Sequence, residues 1–239
     1  MTKKIKAPIK PATRLVTSGR DPQAYHGFVN PPVYHASTLL YPTAEDQVAH
    51  RARYSYGRRG TPTSEALEDA LRELDGEACA GVALLPSGLA AISAALLATM
   101  SAGDHILVTD SVYRPTRNFC NGVFKRLGVE TTYYDPLIGA GIAQLFKPNT
   151  RVVFTEAPGS QSFEMQDIPA IAKITHEKGA IVLMDNTWAT PLYFRAFEKG
   201  VDMQIQAGTK YIGGHSDIMF GCVSANAATL ARLKDTVYT

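Results

Sequence analysis

From Thr63 onward the chain alternates short β-rich runs with helical ones, and this alternation limits the fold more than any other feature of the sequence. Ser64 to Leu74 sets Ala66, Leu67, Ala70, Leu71 and Leu74 on one face, which predicts an amphipathic helix with Pro62 near its start. Beyond it, strands are expected at 82–85, 105–109, 130–134, 152–155, 181–184 and 203–206, and helices near 89–100, 115–127, 168–178 and 227–237. Such a succession predicts an α/β fold, with a mostly parallel (mixed) sheet flanked by helices. Residues 1–62 are rich in Pro, Tyr and Arg and lack a sustained period, so they read as an extended arm preceding one large domain over 63–239.

Charge and cysteine usage remove several classes of function. A net charge of +2 leaves no electrostatic footprint for nucleic acid or an acidic membrane. Cys79, Cys120 and Cys222 are odd in number and far apart, which argues against a disulfide framework and a cysteine-based zinc site; no metal is expected. The basic opening MTKKIKAPIKPATRL has no apolar core of the kind a secretory signal needs. The longest apolar stretch, 89–100, falls far short of the ~20 residues of a membrane span. A cytoplasmic location is the expectation.

In open α/β sheets, ligands gather on the loops that follow the strands. Three such loops carry chemistry here. Ser87-Gly88-Leu89 opens a small-residue helix, where free N–H groups and the helix dipole form an anion site that a glycine lets a phosphate approach. Capping of a buried helix explains the same residues equally well, and no Walker or G-x-G-x-x-G loop occurs. Asp185 ends the apolar run AIVLM, a costly place for a carboxylate unless it serves a cationic ring nitrogen, a metal or a proton. An Asx-turn is the plainer alternative. The third loop, AGTKYIGGHSD at 207–217, places Lys210 directly after a strand among small residues. Partial burial there would favour the neutral amine that imine chemistry requires, and Thr209 offers a hydroxyl to a phosphate. His215, Ser216 and Asp217 are adjacent on one short segment and cannot converge as a catalytic triad.

Together these loops supply an anion cradle, a carboxylate partner for a pyridinium nitrogen and an imine-forming amine, the parts that pyridoxal 5'-phosphate needs. With YGRRGTPT, LLPSGLAAI, DSVYRPT, YDPLIG, EAPGS, DNTWA and QAGTKYIGGHSD, the chain resembles the Cys/Met-metabolism (trans-sulfuration) family of pyridoxal-phosphate enzymes, within the aspartate-aminotransferase fold type I. The resemblance covers residues 17–239 and implies roles residue by residue. Lys210 would bind the cofactor's aldehyde carbon and shuttle protons, and Asp185 would keep the ring nitrogen protonated. Ser87, Gly88, Leu89 and Thr209 would hold the phosphate, and Tyr113 would stack on the ring as a catalytic tyrosine. Tyr56, a catalytic residue alongside Lys210 and Tyr113, and Arg58 would reach the phosphate in a neighbouring subunit, making the protein a homodimer and, by the same resemblance, a tetramer. Tyr238 falls where the family places a tyrosine at the substrate entrance.

Departures from the pattern point to the cystathionine β-lyase branch. Thr61-Pro62-Thr63 and Gly159-Ser160 stand where γ-acting members typically carry Asn-Pro-Thr and Asn-Pro, and Ala207 replaces a serine found in many members. The resemblance therefore implies a carbon–sulfur lyase of methionine biosynthesis that takes L-cystathionine to L-homocysteine, pyruvate and ammonia. A broader cysteine-S-conjugate β-lyase, a γ-acting lyase and an inactive cofactor-binding fragment are the alternatives. The sequence stops inside a helical pattern, and the family's small C-terminal domain supplies the arginine for the substrate carboxylate. Low lyase activity of these 239 residues alone is the corresponding expectation.

Overall fold

The computed structural model describes residues 9–238; the basic opening at 1–8 and the last residue of the expected large domain, Thr239, lie outside the described residues. By its own contacts the chain divides into two compact units, residues 9–74 with Tyr238, and residues 75–237.

The N-terminal unit departs from the expectation of an irregular arm. It contains α1 (Pro11–Thr17) and α2 (Ala44–Val48), a 3-10 turn at Gly57–Arg59, and most of α3 (Pro62–Asp75). Proline in the first turn starts α1, and the Thr43 hydroxyl accepts the Asp46 N–H at 3.1 Å to cap α2. Helices of seven and five residues are too short to print a period on the sequence. Among the described residues of this unit only Ala66 and Leu71 are buried. Polar ties replace a core: Thr63 Oγ1 donates to the Pro32 carbonyl (2.8 Å) and accepts the Tyr34 N–H (2.9 Å), and Arg53 pairs with Glu65 at 2.6 Å.

The second unit is built on a seven-stranded sheet. In chain order it runs β1 (Gly81–Leu85), α4 (Gly88–Thr99), β2 (His105–Thr109), α5 (Arg114–Phe119), β3 (Glu130–Tyr134), β4 (Thr150–Glu156), α6 (Ile168–Glu177), β5 (Ile181–Asp185), α7 (Thr190–Tyr193), β6 (Met203–Gln206), β7 (Gly221–Ala225) and α8 (Leu230–Tyr238). Strand order is β1-β7-β6-β5-β4-β2-β3. β7 is antiparallel to both neighbours and the remaining pairs are parallel. The sheet is therefore mixed and flanked by helices, as the alternation predicts. Two differences have local causes. β7, Gly-Cys-Val-Ser-Ala, lacks the alternation and bulky β-branched content that mark a strand, and it is buried on both faces. The helix expected at 115–127 is α5 followed by a π-helical turn at Cys120–Phe124.

Side chains alternate strictly across the sheet. Ile106, Val108, Phe154 and Leu183 pack with Ile92, Ala95 and Leu96 of α4, while Val182 and Met184 pack with Ile168 and Ala172 of α6. No helix among the described residues is long and apolar enough to cross a membrane.

Candidate functional site

Because β1, β2, β4, β5 and β6 share one direction, their carboxyl ends lie along one edge of the sheet, and the loops singled out in the sequence start there. At that edge α4 begins against the sheet with little room to spare. A Cβ on Gly88 would sit 2.6 Å from the Ala207 Cβ, and one on Gly221 would sit 2.2 Å from the Ser87 carbonyl oxygen. Both glycines are thus required by close approach of backbone to backbone. Ser87 is the N-cap, its Oγ accepting the Ala90 N–H at 3.1 Å. The Ala91 N–H closes on the Ser87 carbonyl at 3.0 Å, so the N–H groups of Gly88 and Leu89 precede the first intrahelical bond and face outward with the helix dipole behind them.

Asp185 and Glu156 occupy paired positions on β5 and β4, on the α4 side of the sheet. Asp185 is buried; its Oδ1 accepts the Thr187 N–H at 3.0 Å, and Thr187 Oγ1 in turn accepts the Ala207 N–H at 2.8 Å. Burial pushes the Asp185 carboxyl up, while both Thr187 donors and the Lys210 charge favour its anion. Glu156 is pushed up by burial first and by Asp185 second, opposed only by the Tyr113 N–H on its Oε2 at 2.8 Å. Within the pair Asp185 is the better placed to carry charge and Glu156 the proton, since Thr187 and Lys210 favour the anion at Asp185 alone. Glu156 lies in the EAPGS motif, yet the sequence assigned it no role; its partners come from strand register and from a loop 43 residues away. An acid at a strand end, one residue ahead of a Pro-Gly pair, is the signal that could have found it.

Lys210 lies in the loop joining β6 to β7. Its N–H donates to the Ala207 carbonyl (2.9 Å), and its carbonyl accepts the Gly214 N–H (2.7 Å). Its side chain is exposed, not partly buried. The small residues around it shape tight turns beyond the strand end and do not carry the amine under the sheet. Thr209 is locked to the returning strand: its hydroxyl donates to the Phe220 carbonyl at 3.0 Å and accepts the Phe220 N–H at 2.9 Å. Next to the lysine, Tyr211 and Trp188 have ring centroids 5.9 Å apart, and Trp188 stands 5.9 Å from Phe163.

Tyr113 caps α5 with an exposed ring, its backbone held by Glu156. The three remaining expected residues belong to the N-terminal unit. Tyr56 is exposed and bridges Thr38 through its backbone. Arg58 Nη2 donates to the Tyr238 carbonyl at 2.8 Å, and the Tyr238 hydroxyl donates to Glu68 at 3.5 Å, with burial pushing that hydroxyl up to about 12. The sheet unit thus brings together Ser87, Gly88, Leu89, Tyr113, Asp185, Thr209 and Lys210.

A family profile described as Cys/Met metabolism PLP-dependent enzyme matches residues 12–237. The chain is similar to a putative cystathionine β-lyase of Rhizobium johnstonii, with 58% identity over 223 residues, 93% of this chain and 56% of that protein. A cystathionine β-lyase of Haemophilus influenzae is 43% identical over 234 residues, 95% of this chain and 59% of the relative. A solved cystathionine γ-lyase from Lactobacillus plantarum, complexed with L-serine, superposes with a TM-score of 0.89 at 30% identity, over 96% of this chain and 58% of that one. The chain spans little more than half the length of these relatives. On its own geometry the site fits pyridoxal phosphate. The N–H groups of Gly88 and Leu89 open α4 ahead of its first intrahelical bond, Asp185 is a buried carboxylate that accepts the Thr187 N–H, and Lys210 places a primary amine at the same edge. The chain belongs to the Cys/Met metabolism family of PLP-dependent enzymes.

Proposed function

We propose that this chain is the cofactor-binding part of a carbon–sulfur lyase that cleaves L-cystathionine by α,β-elimination, giving L-homocysteine, pyruvate and ammonia with uptake of water. The observation that carries the reading is the convergence of Asp185, Lys210 and the α4 N-terminus on one sheet edge. The names of the Rhizobium and Haemophilus relatives support it.

When bound, pyridoxal phosphate supplies an electron sink for the carbanion left at the substrate Cα. The chain's own groups then divide the work. Lys210 Nζ takes the Cα proton, being the flexible amine at the edge. Asp185 holds a proton on the ring nitrogen, and its charge is kept in place by Thr187. Glu156, as the protonated neighbour, holds the backbone of Tyr113 so that its ring can lie against the cofactor. The Gly88 and Leu89 N–H groups and Ser87 face the phosphate, while the Thr209 hydroxyl fixes the loop against Phe220. Tyr56 and Arg58 serve the site of a second copy in a homodimer, which pairs into a tetramer, and Tyr238 belongs to the substrate entrance. The enzyme works in the cytoplasm, in methionine biosynthesis.

Borohydride reduction in the presence of pyridoxal phosphate, followed by peptide mapping, is expected to label Lys210; label on another lysine, or none, overturns the cofactor reading. Such slow turnover of L-cystathionine as these residues support is expected to yield pyruvate. Accumulation of 2-oxobutyrate in its place would assign γ-elimination, the activity named for the Lactobacillus structure.

A further inference from the structure

Behind the β5–β6 end of the site runs a buried chain of side chains that the proposed chemistry does not use. Asp75, the last residue of α3, is 4% exposed, Gln204 of β6 is 1% exposed and Asn186, directly after Asp185, is fully buried. Asp75 Oδ1 accepts from Gln204 Nε2 at 2.6 Å. Gln204 Oε1 accepts from Asn186 Nδ2 at 2.7 Å, and the same nitrogen donates to the Phe194 carbonyl at 3.0 Å. Met203 and Ile205 pack on the α4 side of the sheet, so the intervening Gln204 points to the opposite face, away from Asp185.

This chain has a direction. An ionised carboxylate only accepts hydrogen bonds, so it admits Gln204 in one amide orientation, with nitrogen toward Asp75 and oxygen toward Asn186. Flipping the amide would set oxygen against carboxylate and NH2 against NH2 in a buried place, where unpaired polar groups are costly. Burial raises the Asp75 carboxyl to about 6, against the pull of Ser224, Gln204 and Cys79, which still leaves it mainly ionised at neutral pH. Asn186 is the hinge between strand and loop: its N–H donates to the Ile205 carbonyl and its carbonyl accepts the Thr190 N–H, both at 2.9 Å.

We propose that Asp75 is a positioning residue of the site: acting through Gln204, it fixes the Asn186 carboxamide and so the turn that carries Asp185 and Thr187. The inference rests on the proposed reading only in taking that turn to serve the cofactor.

Hydrogen exchange of the Asn186 and Thr190 backbone amides in the cofactor-free chain tests the positioning step by itself. Asp75→Ala is expected to speed both by about tenfold, and Asp75→Asn, which keeps an acceptor oxygen toward Gln204, to restore wild-type rates within about threefold. The paired readout is pyridoxal phosphate affinity with the visible absorption of the bound cofactor across pH. Asp75→Ala is expected to weaken binding about tenfold and to displace the absorption profile, with Asp75→Asn matching wild type. Should Asp75→Ala fail to fold, Gln204→Met breaks the same chain at its middle and is expected to give the same exchange signature. Unchanged exchange in a folded Asp75→Ala or Gln204→Met variant overturns the proposal, as does Asp75→Asn behaving like Asp75→Ala. A wild-type protein that shows the exchange pattern but binds no pyridoxal phosphate overturns the cofactor reading and supports the positioning chain.

Discussion

The two edges of the sheet treat the same residue type in opposite ways. At the edge where β5 and β6 begin, Asp202 has an almost complete set of partners. Its Oδ2 accepts from the Val182 N–H and from His176 Nε2, both at 2.8 Å, and its Oδ1 accepts from Asn226 Nδ2 at 2.8 Å. Even its carbonyl is tied, taking the Thr229 hydroxyl and the Asn226 N–H at 3.0 Å each. At the edge where β4 and β5 end, Glu156 and Asp185 lie side by side with fewer donors between them. Asp202 staples strands and helices together. Asp185 and Glu156 stand in a costlier place for folding, which accords with the ligand role proposed for that edge.

Three measurements would break or sharpen this contrast. Asp202→Ala, which strips partners from the Val182 N–H and Asn226, is expected to lower the unfolding free energy by about 3–5 kcal/mol in urea titrations, with little change in cofactor affinity among the molecules that remain folded. Asp185→Asn is expected to have the opposite profile. Pyridoxal phosphate affinity falls by about tenfold or more, because the ring nitrogen loses its anion, while stability rises by about 1–2 kcal/mol as a buried charge disappears. A stability loss in this variant would erase the distinction between the edges. The smallest effect is in Glu156→Gln, where the amide oxygen can keep the Tyr113 N–H bond. Wild-type Glu156 is held protonated in the fold, so its stabilising contribution is complete below the ordinary carboxylate range and is lost as pH rises toward its raised folded value. The variant should therefore gain on wild type by about 1 kcal/mol between pH 5 and pH 6 in thermal melts; a constant gap over that unit would show that Glu156 is already ionised.

The inner parallel strands were legible because both of their faces are buried, so runs such as Ile106-Leu107-Val108 stand out from their surroundings. β7 was hidden for the converse reason: between Gly221 and Ala225, small residues fill a space already crowded by β1 and β6. Asp185 could be read as anomalous from its place at the end of an apolar strand. Glu156 could not, since its meaning depends on the β4–β5 register and on Tyr113. The sequence also misjudged Lys210, whose small neighbours suggest burial but serve turns, as with Gly213 and Gly214 bonding back to Gly208 and Lys210. The Asp75–Gln204–Asn186 chain is likewise invisible without coordinates, its members being spread over 129 positions between Asp75 and Gln204.

β7 also bears on the order in which the site can form. β6 and β7 are joined by the loop that carries Lys210, over residues 207–220, so that pair closes with less loss of chain entropy than β1 with β7. β1, by contrast, meets only β7, from the far end of the domain, the widest sequence separation of any pairing in the sheet. Contacts of that kind are the slowest to be made in folding. The amine and the carboxylate thus come from the early-closing β5–β6–β7 block, whereas Ser87 and Gly88 arrive with β1. Release of that single edge strand would dismantle the anion cradle and leave Lys210 and Asp185 where they are.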